Sequence, residues 1–161
     1  MKIVFLQTGG TIDKDYPRST KGWAFEFGEP ASRRILERLS PSFEFDVVTI
    51  CQKDSLEIGI EDRQKMANFI LSSEASHFVL THGTDTLIDT AMYLSERIEG
   101  KQVVLCGAMR PERFRNSDAA INLGCAIGAV QVLPAGVYVA MHGIVKEAHT
   151  IQRNLTNGQF Y

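Results

Sequence analysis

Lys2-Ile3-Val4-Phe5-Leu6-Gln7-Thr8-Gly9-Gly10-Thr11-Ile12 decides how this chain reads. An apolar run, Ile3 to Leu6, ends in a glycine pair flanked by threonines. A second stretch repeats the pattern far downstream, where Phe78-Val79-Leu80 runs into Thr81-His82-Gly83-Thr84-Asp85-Thr86. Each reads as a strand that stops at a tight, glycine-permitted turn and presents hydroxyls. Two such turns on one edge of a sheet bring two threonines and an aspartate to one point. A nucleophile-rich edge of that kind points to an enzyme.

Working outward, further short apolar runs alternate with helical patterns. Strands are expected over 2–8, 44–50, 77–82, 101–107 and 135–141. Several are continuous, such as Val103-Val104-Leu105-Cys106, as expected for parallel strands covered on both faces. Helices are expected over Pro30–Leu39, Glu61–Ser73, Thr84–Ile98 and Ser117–Val132, with apolar residues at helical spacing. The alternation predicts an α/β fold: a three-layer sandwich with a mostly parallel sheet and flavodoxin-like layers. Residues 12–29 do not fit that rhythm. There the alternation of Trp23, Phe25 and Phe27 suits a short hairpin strand, either a flap over a site or an ordinary solvent-facing hairpin.

Ligands in open α/β sheets bind at the carboxyl ends of the strands. Both threonine-glycine turns fall at such ends. So do Gln52-Lys53-Asp54-Ser55 and Gly107-Ala108-Met109-Arg110-Pro111, so four loops converge on one edge. The glycine pair could cradle a phosphate, but neither GxGxxG nor GxxxxGK[ST] is present. His82 has no second histidine at metal-ligand spacing, which favours a non-ligand role.

The 161 residues suit one domain. With 22% charged and 44% apolar residues, the chain has the composition of a soluble globular protein. A net charge of −2 gives no footprint for nucleic acid or an anionic membrane. Cys51, Cys106 and Cys125 form no CxxC or CxxH pattern, so neither zinc nor a disulfide framework is expected. With no long apolar stretch or leader pattern, a cytoplasmic location is the expectation.

A threonine hydroxyl is a weak nucleophile and needs a base or a lowered pKa. Thr84 and Asp85 supply a second hydroxyl and a carboxylate. Backbone N–H groups at a glycine turn can stabilise an oxyanion, and Asp85 suits an ammonium group. These residues describe acyl transfer on a small amino-acid amide.

In this order and spacing, Thr8–Ile12 and Thr81–Thr86 resemble the two signature motifs of the bacterial-type L-asparaginase family. Gly107–Pro111 resembles a third family segment, and Ser117–Leu123 the helix start after it. The resemblance runs over nearly the whole chain. It implies hydrolysis of L-asparagine to L-aspartate and ammonia, often with weaker glutaminase activity, and no metal or organic cofactor. Thr11 would be the nucleophile and Tyr16 the lid tyrosine that activates or positions it. Thr84 and Asp85 would form the second catalytic pair, with Asp85 also holding the substrate ammonium. Asp54 and Ser55 would grip the α-amino and α-carboxylate ends, beside Gly10 and Gly83. The family assembles as tight dimers and tetramers, so a homo-oligomer is expected.

Two departures stand out. Most members carry a second, smaller C-terminal domain, so this chain reads as a single-domain form, 1–161, or a fragment. The family's catalytic lysine is replaced by Arg153, with Lys146 the nearest alternative. Arginine keeps the charge but does not act as a base. That supports a second reading, a catalytically weak or inactive protein that binds aspartate or asparagine. Related threonine amidases serve transfer-RNA-dependent amidotransferases, but those are larger chains, and this one shows no RNA footprint.

Overall fold

A computed structural model describes residues 1–18 and 25–161. Trp23, expected on a hairpin strand, lies outside the described residues. The first strand, β1 (Lys2–Gly9), is followed by a 3-10 turn at Thr11–Asp13. A small antiparallel ribbon, β2 (Lys14–Asp15) with β3 (Glu26–Phe27), carries the predicted hairpin at Phe27. Then come α1 (Ala31–Leu39), β4 (Glu44–Lys53), a 3-10 turn at Ser55–Glu57 and α2 (Ile60–Ser72). The chain continues through β5 (His77–Thr81), α3 (Leu87–Ser95), β6 (Gln102–Cys106) and α4 (Ala119–Val132). It ends with β7 (Gly136–Met141) and β8 (Ile144–Glu147).

All five predicted strands and all four predicted helices are present. The largest boundary differences are three residues: β4 runs on to Lys53, and α3 spans Leu87–Ser95 rather than Thr84–Ile98, its start delayed because residues 84–86 form the turn itself. In the main sheet the strand not foreseen is β8. It is antiparallel to β7 on the sheet edge, and exposure of Val145, Lys146 and Glu147 denies it an apolar signature.

The six-stranded sheet has the order β4-β1-β5-β6-β7-β8 and is parallel except for β8. Strand alternation divides the core. Val4, Leu6, Phe78 and Leu80 face α2 and α3 (Met66, Leu87). Ile3, Phe5, Val79 and Val104 face α1 and α4 (Leu36, Leu123). This is the predicted three-layer sandwich.

Two consequences of the topology position the site. From β1 the chain steps to β4 on one side, whereas from β5 it steps to β6 on the other. The strand order therefore reverses between β1 and β5, and a crevice opens where they end. Secondly, α4 packs with α1, although β6 to β7 advances in the same direction as β5 to β6. This crossover thus has the opposite hand from the other three, against the usual uniformity of βαβ units. It delivers the loop 107–118 to the α1 side, beside the turn that follows β1.

Candidate functional site

The β1 and β5 turns meet where both strands end. Gly10 has φ of 80°, a left-handed conformation that disfavours any side chain. A Cβ there would fall on the backbone N and Cα of Gly83. Gly83 in turn lies so close to Ser55 that a Cβ would sit 2.7 Å from the Ser55 Cβ. The Gly10 N–H donates to the Lys53 carbonyl (2.9 Å), and the His82 N–H to the Cys106 carbonyl (2.9 Å). The four loops expected to converge at this edge do so, and glycine permits the approach.

The threonines divide into two groups. The Thr8 hydroxyl is buried and donates to the Thr81 carbonyl (2.8 Å). The Thr81 hydroxyl is buried and donates to Asp13 Oδ2 (3.2 Å). The Thr86 hydroxyl donates to the Ser55 carbonyl (2.6 Å). These three tie the frame together. Thr11 and Thr84 are half-buried, and neither hydroxyl has a hydrogen-bond partner among the described residues.

The second turn is braced from several directions. Arg153 donates through Nη1 to the Thr84 carbonyl (3.0 Å) and to Asp85 Oδ1 (3.0 Å), while its guanidinium lies over Phe160. Arg153, rather than Lys146, thus reaches this turn. Lys146 is exposed on β8 opposite Val139. The Asp85 N–H donates to the Ser55 hydroxyl (3.3 Å). Ser55 is therefore buried against the turn as a brace, while Asp54 pairs with Lys14 Nζ of β2 (2.8 Å). Tyr16 is exposed and packs on Phe25 and Phe114.

Two buried titratable groups stand behind the turns: Asp13, which the motifs did not mark, and His82, which lies within the second motif. Asp13 follows Thr11 and Ile12 and is fully buried. Its Oδ1 accepts the Ala31 N–H (2.8 Å) at the start of α1, where Pro30 offers no capping side chain. Burial raises its carboxyl to about 6, against the opposing hydrogen bonds from Ala31 and Thr81.

His82 is equally buried, with Nδ1 2.8 Å from the Gly83 carbonyl and Nε2 2.9 Å from the Thr90 hydroxyl. Burial lowers its imidazole to about 4, so it is neutral near pH 7. The Gly83 carbonyl can only accept, so Nδ1 carries the proton and Nε2 accepts from Thr90. Arg63 Nε of α2 donates to the same hydroxyl (3.0 Å). A one-way chain thus runs from Arg63 through Thr90 and His82 to Gly83. Among the described residues no group of three His, Cys, Asp or Glu is arranged to hold a metal ion. No described helix is long and apolar enough to cross a membrane.

The fold and site define a three-layer α/β domain whose switch-point crevice is lined by two glycine turns and two threonines. Residues 2–159 match the family model described as asparaginase, N-terminal, and the chain belongs to that family. It is 31% identical, over 96% of its length and 46% of the relative's, to a Haemophilus influenzae protein named "Probable L-asparaginase periplasmic". A glutamyl-tRNA(Gln) amidotransferase subunit of Thermococcus kodakarensis is 34% identical over 92% of this chain and 35% of its own length. Among solved structures, the thermostable L-asparaginase from Thermococcus kodakarensis superimposes with a TM-score of 0.85. Its identity is 29%, covering 100% of this chain and 51% of that one. The chain spans about half the length, or less, of the relatives it matches.

Proposed function

We propose that the chain hydrolyses the side-chain amide of L-asparagine, giving L-aspartate and ammonia through a threonine acyl-enzyme. The observation that carries this reading is the seating of the Thr11 turn on the Thr84-Asp85 turn through Gly10 and Gly83. Family membership supports it.

In this reading the Thr11 hydroxyl attacks the amide carbon, and backbone N–H groups of the glycine turns hold the oxyanion. The Thr11 proton passes by way of the Thr84 hydroxyl to the leaving nitrogen, which departs as ammonia. Water then cleaves the ester, restoring the Thr11 hydroxyl and releasing a carboxylate. Tyr16 closes over Thr11, Asp54 orients the amino-acid end, Ser55 braces the turn that carries Asp85, and Asp85 faces the substrate ammonium. Arg153 cannot take a proton. It orients the Asp85 carboxylate and stabilises negative charge at Thr84.

The test is ammonia release from L-asparagine and L-glutamine. Asparagine is expected to be the better substrate, and Thr11→Ala or Thr84→Ala to lower the rate by about a thousandfold. No product from any small amide at high enzyme would sink the reading.

The Arg153–Asp85 pair favours one alternative, a protein that binds aspartate or asparagine without turning it over. An intramolecular guanidinium already occupies the carboxylate meant for substrate. This alternative requires thermal stabilisation by aspartate without ammonia release, together with activity created by Arg153→Lys. The similarity to the amidotransferase component adds a proposal of a protein partner, and the family adds one of homo-oligomerisation. Co-purification and sedimentation check these respectively.

A further inference from the structure

Away from the crevice, the loop 107–118 meets α1 in a polar cluster that the proposed chemistry does not use. Glu112 is buried and accepts from two arginines of α1, Arg34 Nε and Arg38 Nη2, each at 2.6 Å. These two bonds hold the Glu112 carboxyl below the usual carboxylate range despite its burial. Next in the chain, Arg113 Nε donates to Asp15 Oδ2 of β2 (2.9 Å). Around these groups lies a cavity of about 300 Å³ lined by Arg38, Arg113, Phe114, Arg115 and the first residues of α4.

The charges in this cavity do not balance. Three guanidiniums (Arg38, Arg113, Arg115) line it against one carboxylate (Glu112), an excess of two positive charges in a chain whose net charge is −2. Arg34 Nη2 is buried without a partner. Arg115 makes no ion pair among the described residues, and Arg113 is bonded to Asp15 through Nε alone. The bonds of Arg34 and Arg38 to Glu112 account for a structural brace. They leave Arg115 and most of the Arg113 fork unexplained. The first turn of α4, a 14-residue helix, borders the same cavity, with the Ala119 N–H bonded to Ser117 Oγ (3.1 Å) and the Asp118 carboxylate accepting from the Met109 and Arg110 N–H groups. Guanidinium forks and a helix N-terminus together suit a phosphate oxyanion, and the volume leaves room for an organic part against Phe114.

The same loop is tied to the residues that flank Thr11. The Glu112 N–H donates to the Ile12 carbonyl (3.2 Å), immediately after Thr11. Asp15, held by Arg113, accepts the Tyr16 N–H through its other oxygen (2.8 Å). We propose that this arginine pocket binds a phosphate group, free or carried on a small metabolite, and that occupation is transmitted to residues 12–16 through Glu112 and Arg113. A phosphate competing for the Arg113 fork loosens Asp15 and so resets Tyr16. Only the consequence for turnover rests on the asparaginase reading; binding does not.

The test is calorimetric titration of the full chain with inorganic phosphate, AMP and chloride at matched ionic strength. Trp23, the chain's single tryptophan, lies between β2 and β3 in sequence and supplies a fluorescence readout that needs no activity. Saturable binding of phosphate or AMP is expected, at least tenfold weaker in Arg115→Ala and Arg113→Ala and unchanged in Thr11→Ala. Tighter AMP binding assigns the ligand as an esterified phosphate, and equal affinities assign it as the free ion. The Trp23 signal should move at the same midpoint in wild type and stay still in Arg113→Ala. The proposal is overturned by no saturation up to about 10 mM, by equal isotherms in wild type and both arginine variants, or by equal binding of chloride. Saturation by an RNA oligomer alone, with a steep salt slope, overturns it as well. A chain that releases no ammonia yet binds phosphate this way would fail the asparaginase reading and keep the pocket.

Discussion

The turn after β1 and the turn after β5 look alike in sequence, yet they are held in different ways. Backbone seats the first, and side chains tie only its flanks, at Thr8 and Asp13. Gly10 sits at positive φ, its N–H bonds the Lys53 carbonyl, and Thr11 is left without a side-chain tether among the described residues. Side chains from four separate elements make the second. Ser55, Arg153, Thr90 and, through Thr90, Arg63 all converge on residues 82–86. The contrast suits the proposed division of labour between an attacking hydroxyl that must approach the amide carbon as it becomes tetrahedral and a platform that must hold still. It also assigns the buried ionisable groups. Asp13 stands behind the first turn with its pKa pushed up, and His82 stands in the second with its pKa pushed down.

The contrast breaks most severely at the contact between the turns. Gly10→Ala adds a methyl against the Gly83 backbone at a φ that L-residues avoid. Overpacking and strain together predict a loss of about 3 kcal/mol or more, read by urea unfolding, with the site dismantled. Gly83→Ala meets the Ser55 side chain instead, so a smaller loss is expected. Equal, small effects at both positions would mean that the turns are not seated as described.

The buried pair gives the contrast a sign. His82 takes its proton at about 4 when folded, against an ordinary value of 6.5. The unfolded chain binds that proton first, so this contribution to stability is lost as pH falls from 6.5 towards 4. Asp13 takes its proton at about 6 when folded, against 3.8. The folded chain binds it first, so stability rises as pH falls from 6 towards 3.8. In wild type the two slopes oppose each other. Asp13→Asn should expose the His82 loss, on the order of 2–3 kcal/mol between pH 6.5 and 4. His82→Gln should expose the opposite slope. Stability curves that run parallel in the two variants would contradict the assignment.

Thr90→Val sharpens the account of the second turn with a smaller effect. It leaves His82 Nε2 buried without its donor, at about 1–2 kcal/mol. Amide exchange at residues 83–85 should accelerate more than global unfolding explains, and Thr90→Ser should restore it. Residues 11–12 should hardly respond. Equal acceleration in both turns would show that they are one unit.

Much of the frame was legible because buried parallel strands are written as unbroken apolar runs. Ile3–Leu6 and Val103–Cys106 are recognisable without knowing their neighbours. The edge strand β8 was not legible, since Ile144-Val145-Lys146-Glu147 pairs on one side only and leaves three residues exposed. Nor was the hand of the β6–β7 crossover. Both faces of the sheet are apolar, and nothing in the α4 sequence states which one it covers. At the site, glycines announced the turns but not their contact. Thr8, Thr11, Thr81 and Thr84 are equivalent as letters, and only backbone direction separates two braces from two available hydroxyls. Asp13 carries no mark of its burial because the groups that bury it, Ala31 and Thr81, are distant in sequence. Arg153 was legible as a position, whereas its hold on Asp85 is a property of the fold.

The central claim is that Thr11 on the pliant turn attacks while Thr84 on the braced turn assists. The most direct measurement is peptide mapping by mass spectrometry after acid quench of the enzyme during turnover of L-asparagine. The account predicts an aspartyl ester on the peptide containing Thr11, absent in Thr11→Ala. An ester on Thr84, or turnover that survives in Thr11→Ala, would contradict it.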